Sequence, residues 1–182
     1  MKRQLSSYSI FFKGLKVGIH DFEFDVDDKF FELFEESEVK NGKLLAKIRL
    51  EKRNNMLELA INVTGTVEVL CDRCLEYFNL PTSYNGKLFV RYGENEVDDD
   101  EYMVISPDES ELNLAQYIYE SICLSLPYKK YHGVKGTDKK ACNPEMLNKI
   151  GYISNDTPDE DDEDEDEPTD PRWNKLRDLN FN

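Results

Sequence analysis

The chain has 182 residues, of which 39% are hydrophobic and 34% are charged, and its formal net charge is −15. Residues 156–170 hold 11 acidic residues and no basic one, so the rest of the chain carries 27 acidic against 23 basic residues. This balance excludes a chain that is disordered throughout and disfavours a uniformly basic nucleic-acid binder. No apolar run approaches the ~18–20 residues of a membrane-spanning helix, and none after the basic start suits a secretion signal, so we expect a cytoplasmic protein.

Alternating apolar and polar residues predict strands through the first 105 residues, because period-two alternation gives one buried and one exposed face. The clearest alternation covers residues 44–50 and 57–69, and residues 53–55 between them suit a hairpin turn because Asn tolerates positive φ. Further strands are expected at residues 8–12, 19–26, 87–92 and 102–105.

Two helices are expected next to these strands. A short helix should begin at Asp27 or Asp28 and carry a group of phenylalanines. The main helix should cover residues 114–126, where apolar side chains recur at every fourth position. Asn113 is expected to cap this helix, with Gln116 in the capping-box position three residues later.

The fold class that follows is α+β, a mostly antiparallel sheet covered by one main helix. We expect three parts: a core domain (residues 1–153), a disordered acidic linker (residues 154–169) and a C-terminal segment (residues 170–182). In the last part, Asp170 and Pro171 favour the start of a short helix. The residues expected to anchor this segment, either on a partner or back on its own core, are Arg172, Trp173, Leu176 and Leu179.

Four residues are candidate metal ligands. Cys71 and Cys74 are separated by two residues, the spacing that turns two thiolates toward one ion in a zinc knuckle. His132 and Cys142 lie in the loop after the main helix and complete a Cys₃His set if that loop folds back. The alternatives are a tight turn with two thiols and no metal, or a redox pair. Cys123 lies on the apolar stripe of the helix and is interpreted as a core residue.

The loop after the main helix is also a candidate RNA-binding element. Lysines bind phosphate and aromatic rings stack on unpaired bases. The alternative is a mobile, solvated loop, which has the same composition. The candidate residues are Tyr128, Lys129, Lys130, Tyr131, Lys135, Lys139 and Lys140. A second basic group, on the polar face of the predicted sheet, comprises Lys43, Lys47, Arg49, Lys87 and Arg91.

The nine consecutive acids of residues 159–167 cannot pack and are expected to be a solvated spacer or a polyanion that attracts a basic protein. Signals of catalysis are weak. The sequence has no Gly-rich phosphate loop and no Gly-x-Ser-x-Gly elbow, and it has two histidines outside any nucleophile arrangement. We therefore expect no small-molecule substrate.

Three stretches together resemble the YceD-like family, the large ribosomal RNA subunit accumulation proteins. They are residues 63–76, which end in Cys-Asp-Arg-Cys-Leu-Glu; residues 112–127, which end in Leu-Ser-Leu-Pro; and Asp-Pro-Arg-Trp at residues 170–173. Their order matches over roughly residues 45–180. The resemblance implies a bacterial factor needed for accumulation of 23S ribosomal RNA, without an enzymatic reaction. Some members carry paired cysteines after the Leu-Pro segment that suggest a metal.

Three functions follow as hypotheses. The first is a non-catalytic assembly factor for the large ribosomal subunit that contacts ribosomal RNA or an assembly intermediate through the basic loop. The second is a protein-only adaptor whose acidic tail binds a basic ribosomal protein without touching RNA. The third is a small metal-dependent or thiol-redox enzyme, which requires a bound metal or a reactive thiol at the Cys-x-x-Cys pair.

Overall fold

The computed structural model describes residues 6–34, 37–93, 102–138 and 141–149. Its strands are β1 (Ser9–Ile10), β2 (Gly18–Val26), β3 (Gly42–Lys52), β4 (Met56–Leu70), β5 (Tyr77–Tyr92), β6 (Tyr102–Ile105) and β7 (Leu112–Asn113). Its α-helices are α1 (Asp28–Phe31), α2 (Ala115–Ser125) and α3 (Pro144–Lys149). Two 3-10 turns, Ser6–Tyr8 and Val134–Gly136, complete the described elements.

The larger sheet has the strand order β2-β3-β4-β5-β6. All of its neighbours are antiparallel except β5 and β6, which run parallel. β1 and β7 form a separate antiparallel pair. The predicted α+β class, with its mainly antiparallel sheet and one main helix, is confirmed.

One face of the larger sheet forms the core. Along β3 and β4 every second side chain is buried, from Leu44 to Leu50 and from Leu57 to Val63, as the alternation predicts. Ile118 and Ile122 of α2 are fully buried in the same cluster. Among the described residues, no helix is long and apolar enough to cross a membrane.

The opposite face of the larger sheet is polar, and its charges are balanced across neighbouring strands. Lys47 pairs with Glu23 at 3.5 Å, Arg49 pairs with Asp21 at 3.0 Å and Lys87 pairs with Glu58 at 3.0 Å. The guanidinium of Arg91 lies 3.6 Å from the ring centroid of Tyr102. These four cations of the second basic group are therefore already engaged by side chains of the protein.

Two details differ from the prediction at the start of α2. Leu114 occupies the N-cap position, and Asn113 pairs with Ser9 in the small sheet while its side-chain oxygen accepts from Ala115 N at 3.0 Å. Gln116 does not complete a capping box: its amide donates to Glu120 at 2.6 Å, one turn further on. Because Asn113 is paired with Ser9 in the small sheet, the N-cap of the helix falls one residue later, at Leu114.

The strand boundaries also differ in two places. β5 begins ten residues before the predicted start, because it pairs with β4 from Tyr77 to Arg91. The strand predicted at residues 8–12 is reduced to Ser9–Ile10, with a 3-10 turn before it. Strands β2, β3, β4 and β6, the turn at residues 53–55 and the helix that starts beside Asp27 are as predicted, whereas β7 was not predicted.

Gly65 of β4 lies where the backbone of β3 leaves no room for a side chain. A Cβ atom there would overlap the carbonyl oxygen of Lys43 and lie 2.5 Å from Cα of Leu44. Both neighbours are backbone groups held in the β3–β4 pairing, so neither can move without breaking the register.

We expect Gly65→Ala to lower the free energy of unfolding by about 2–4 kcal/mol, because the new methyl group forces two central strands apart. The urea midpoint of unfolding measures this loss. Gly14→Ala is the matched control, since no heavy atom lies within 4 Å of a Cβ built there. Equal midpoints for the two variants would contradict the close approach.

Candidate metal centre

Residues 71–76, the knuckle turn, connect the two longest strands of the sheet. Leu70 and Tyr77 are paired across β4 and β5, so the turn is anchored at both ends. Within it, Cys71 N donates to Glu76 O at 2.9 Å and Leu75 N donates to Cys71 O at 3.0 Å. Leu75 adopts a left-handed φ of 59°, which reverses the chain after the second cysteine. The turn directs both cysteines into the protein, where they are buried.

The loop after α2 returns to the knuckle turn through two hydrogen bonds between Asp72 and the backbone of Lys130. Asp72 N donates to Lys130 O at 2.6 Å, and Lys130 N donates to the Asp72 carboxylate at 2.5 Å. Next to this pair, the guanidinium of Arg73 lies 3.9 Å from the ring centroid of Tyr131. The two residues between the cysteines thus hold the backbone that carries His132.

All four candidate ligands meet at this point. The three Sγ atoms of Cys71, Cys74 and Cys142 and a ring nitrogen of His132 all lie within 4.8 Å of one another, and all four residues are buried. Cys71 Sγ lies 3.8 Å from Cys142 Sγ, and Cys74 Sγ lies 3.5 Å from His132 Nδ1. A tetrahedral zinc ion with bonds of about 2.3 Å to sulfur and 2.0 Å to nitrogen needs ligand atoms about 3.5–3.8 Å apart. The Cys71–Cys142 and Cys74–His132 distances match that requirement, and the other ligand pairs lie within 4.8 Å.

The pKa values of two of the buried thiols, Cys71 and Cys142, shift in opposite directions. Burial opposes ionisation of Cys71, but hydrogen bonds from the backbone of Cys74, Arg73 and His132 outweigh it and lower the pKa of Cys71 to about 6. Burial, together with the sulfurs of Cys74 and Cys71, raises the pKa of Cys142 to about 12. Three adjacent thiolates repel one another, so a divalent cation is the group that would allow all three to ionise.

Neighbouring side chains fix the ligands that come from the loop. The ring of Phe78 packs on that of His132, with centroids 4.6 Å apart. Asn143 follows Cys142, donates to the Glu76 carboxylate at 2.7 Å, and accepts from two backbone N–H groups at the start of α3. The loop is therefore tied to the knuckle turn on both sides of the ligand set.

The remaining cysteine and histidine of the chain, Cys123 and His20, lie elsewhere. Cys123 is half-buried on α2 and lies outside the four-residue cluster. His20 bonds to the carbonyl of Lys16 at 2.8 Å. Within the described ranges, no second group of three or more histidine, cysteine or acidic residues has metal-site geometry.

The structure separates the candidate RNA-binding residues by exposure. Tyr128 is 96% exposed, and Lys129 and Lys135 are exposed, although the ammonium of Lys135 also donates to Ser125 O at 3.1 Å. Lys130 forms an ion pair with Glu38, and Tyr131 is covered by Arg73. The remaining candidates lie outside the described residues: Lys139, Lys140, Arg172, Trp173, Leu176 and Leu179.

Sequence reasoning missed the residues that hold the loop in place. Asp72 and Arg73 were read only as the spacer between two cysteines, yet they make the contacts to Lys130 and Tyr131. Glu38, which pairs with Lys130, has no sequence signal because the two are far apart in the chain. For Asp72 and Arg73, the available sequence signal was an acidic residue next to a basic residue inside the Cys-x-x-Cys turn.

The fold and the cluster define the chain as a small α+β protein in which a Cys₃His set joins a sheet hairpin to a loop. The family model of the large ribosomal RNA subunit accumulation protein YceD matches residues 59–180, which include the whole cluster. This match covers more than half of the chain, and the protein therefore belongs to the YceD family. The comparison with curated proteins found no match, and neither did the comparison with solved structures.

We expect the purified chain to carry one zinc ion per molecule and Cys142→Ser to lose it, because a closed structural site needs all four ligands. Native mass spectrometry measures the stoichiometry, and thermal unfolding should shift down in parallel because zinc binds only the folded state. Cys123→Ser is the control and should keep both the metal and the melting temperature. Equal metal content in the two variants would remove Cys142 from the ligand set.

Proposed function

We propose that this protein is a non-catalytic, cytoplasmic factor that supports accumulation of 23S ribosomal RNA by binding an assembly intermediate of the large subunit. Membership of the YceD family carries this proposal, because that family is described by accumulation of the large ribosomal RNA subunit rather than by a reaction. The candidate metal centre and the exposed basic loop beside it supply the physical means.

In this proposal the metal centre is structural and holds zinc. Four protein ligands fill a tetrahedral zinc, whereas catalytic zinc keeps one position for water or substrate. The cluster is also buried, so an external thiol or substrate has little access to Cys71. These two features support a structural zinc over the metal-dependent or thiol-redox enzyme considered from the sequence.

The zinc ion would set the position of the RNA-binding residues. His132 follows the exposed Tyr128 and Lys129 by only a few residues. A metal ion that holds His132 in place would therefore also hold the backbone that carries these two side chains. Tyr128 then offers a ring for stacking on an unpaired base, and Lys129 and Lys135 offer cations for phosphate. Lys130 and Tyr131 contribute by holding the loop against the core.

We expect the double variant Lys129→Glu, Lys135→Glu to lose about 10-fold or more in affinity for 23S precursor RNA, because two phosphate contacts become repulsive. Filter binding at fixed ionic strength measures this change. Lys47→Glu and Lys87→Glu on the polar sheet face form the matched control, since each lysine is already paired with a carboxylate there. An equal loss in both double variants would show a non-specific charge effect instead.

A protein-only adaptor is the second candidate, and the acidic run supports it. Nine consecutive carboxylates at residues 159–167 form a concentrated anionic segment in a chain that is otherwise near balance. Such a segment attracts the basic surface that a ribosomal protein presents before it meets RNA. In this version the partner is a basic ribosomal protein and RNA is not contacted.

Deletion of residues 159–167 separates the two candidates. For an RNA-binding factor, we expect the deletion to leave RNA affinity unchanged or higher, because a competing polyanion has been removed. For an adaptor, the deletion should abolish capture of the basic ribosomal protein. A pull-down from lysate, with and without nuclease, measures both, and a ribosomal protein that is retained after nuclease only by the intact chain would favour the adaptor.

A further inference from the structure

The knuckle turn carries an exposed apolar surface that the metal centre does not use. Leu70, Leu75 and Tyr77 are 41%, 58% and 69% exposed, and we call these three residues the knuckle patch. Leu70 and Tyr77 are paired neighbours on the outer face of the sheet, and Leu75 lies in the turn that joins them. Clustered large apolar side chains on a soluble domain mark an interaction site more often than single ones do.

Leu75 is the least expected member of the knuckle patch. Its left-handed φ of 59° costs a leucine roughly 1 kcal/mol, and glycine would adopt it freely. The side chain gains little in return from the described core, because more than half of it is exposed. A leucine at this position is explained if its side chain is buried by something else.

Carboxylates surround the knuckle patch. Asp72 and Glu76 are exposed in the same turn, and Glu68 lies two residues before Leu70 on the same face of β4. Of the nearby cations, Arg73 covers the Tyr131 ring and Lys130 pairs with Glu38. The patch therefore suits an occupant with an apolar stripe and basic flanks.

The C-terminal part of this chain has that chemistry. Trp173, Leu176 and Leu179 recur at intervals of three residues, which places them on one face if the segment is helical. Arg172, Lys175 and Arg177 give the segment three positive charges and Asp170 and Asp178 give it two negative ones, so its net charge is +1. Residues 170–179 therefore complement the knuckle patch in both apolar character and charge.

The chain also leaves the described core beside the knuckle patch. Asn143 contacts Glu76, and the six residues of α3 then advance the chain by only about 9 Å to Lys149. The 23 residues between Lys149 and Trp173 have a root-mean-square span of about 25 Å when flexible, enough to return to the turn. A tether of this length gives an effective concentration in the millimolar range, so even a weak contact would be populated.

We propose that residues 170–179 dock on the knuckle patch of the same molecule, with Trp173 against Leu75 and Tyr77 and the basic residues facing Glu68, Asp72 and Glu76. This docking goes beyond the proposed RNA role, because it concerns a contact within the chain. It closes the acidic run into a loop that starts and ends beside the metal centre.

Trp173 is the only tryptophan of the chain, so its fluorescence reports this contact directly. We expect Trp173 in the full-length, zinc-loaded protein to emit at shorter wavelength and to be less quenched by acrylamide than in the urea-unfolded chain. Leu75→Ser combined with Tyr77→Ser should remove that protection, and the matched control Val17→Ser, which alters another exposed aliphatic residue, should leave it unchanged.

A second variant keeps the test valid if changes in the knuckle turn disturb folding. Arg172→Glu, Lys175→Glu and Arg177→Glu together alter only the C-terminal segment and should also release Trp173, with zinc content unchanged. Trp173 that is as accessible in the native monomer as in the unfolded chain would overturn the proposal, as expected for an anchor on another protein. Protection that falls on dilution would overturn it as well, because it would indicate a second copy.

Discussion

The structure depends on one constraint: four side chains from two distant stretches must meet within 4.8 Å in a buried position. Two of them are fixed by the turn between β4 and β5, whose 15-residue register leaves that turn no freedom to slide. The other two come from a loop with little regular structure of its own. Ionisation of Cys142 beside the two other thiols is unfavourable without a cation, as the raised pKa of Cys142 shows. A bound cation would therefore stabilise the loop and the cluster together.

This constraint also divides the loop residues by role. Lys130 and Tyr131, immediately before His132, are held by Glu38 and Arg73 and align the ligand. Tyr128 and Lys129, only one or two residues earlier than Lys130, are exposed to solvent. A cluster of basic and aromatic residues in a sequence is thus not a uniform binding surface. Part of it builds the scaffold, and the exposed part remains for a partner.

The sequence predicted the sheet well because alternation in β3 and β4 depends only on local spacing. All four candidate ligands could be named from the sequence, but only Cys71 and Cys74, with two residues between them, have a standard zinc-site spacing. The nine residues between His132 and Cys142 follow no finger spacing, because a reversal at Gly133, with φ of 101°, and a 3-10 turn set their geometry. The ion pairs of the outer sheet face depend on register between strands, which composition does not reveal.

The charge distribution connects the knuckle patch to the basic loop. Docking of residues 170–179 would close residues 150–169 into a loop of about 20 residues, at an entropic cost of about 2–3 kcal/mol. The nine carboxylates within it would then be tethered at both ends beside the basic loop, because Lys130 is bonded to Asp72 of the knuckle turn. Phosphate would have to compete with this internal polyanion for Lys129 and Lys135. Non-specific RNA would be excluded, and an RNA that also stacks on Tyr128 would be favoured, so the acidic run would increase selectivity at the expense of affinity.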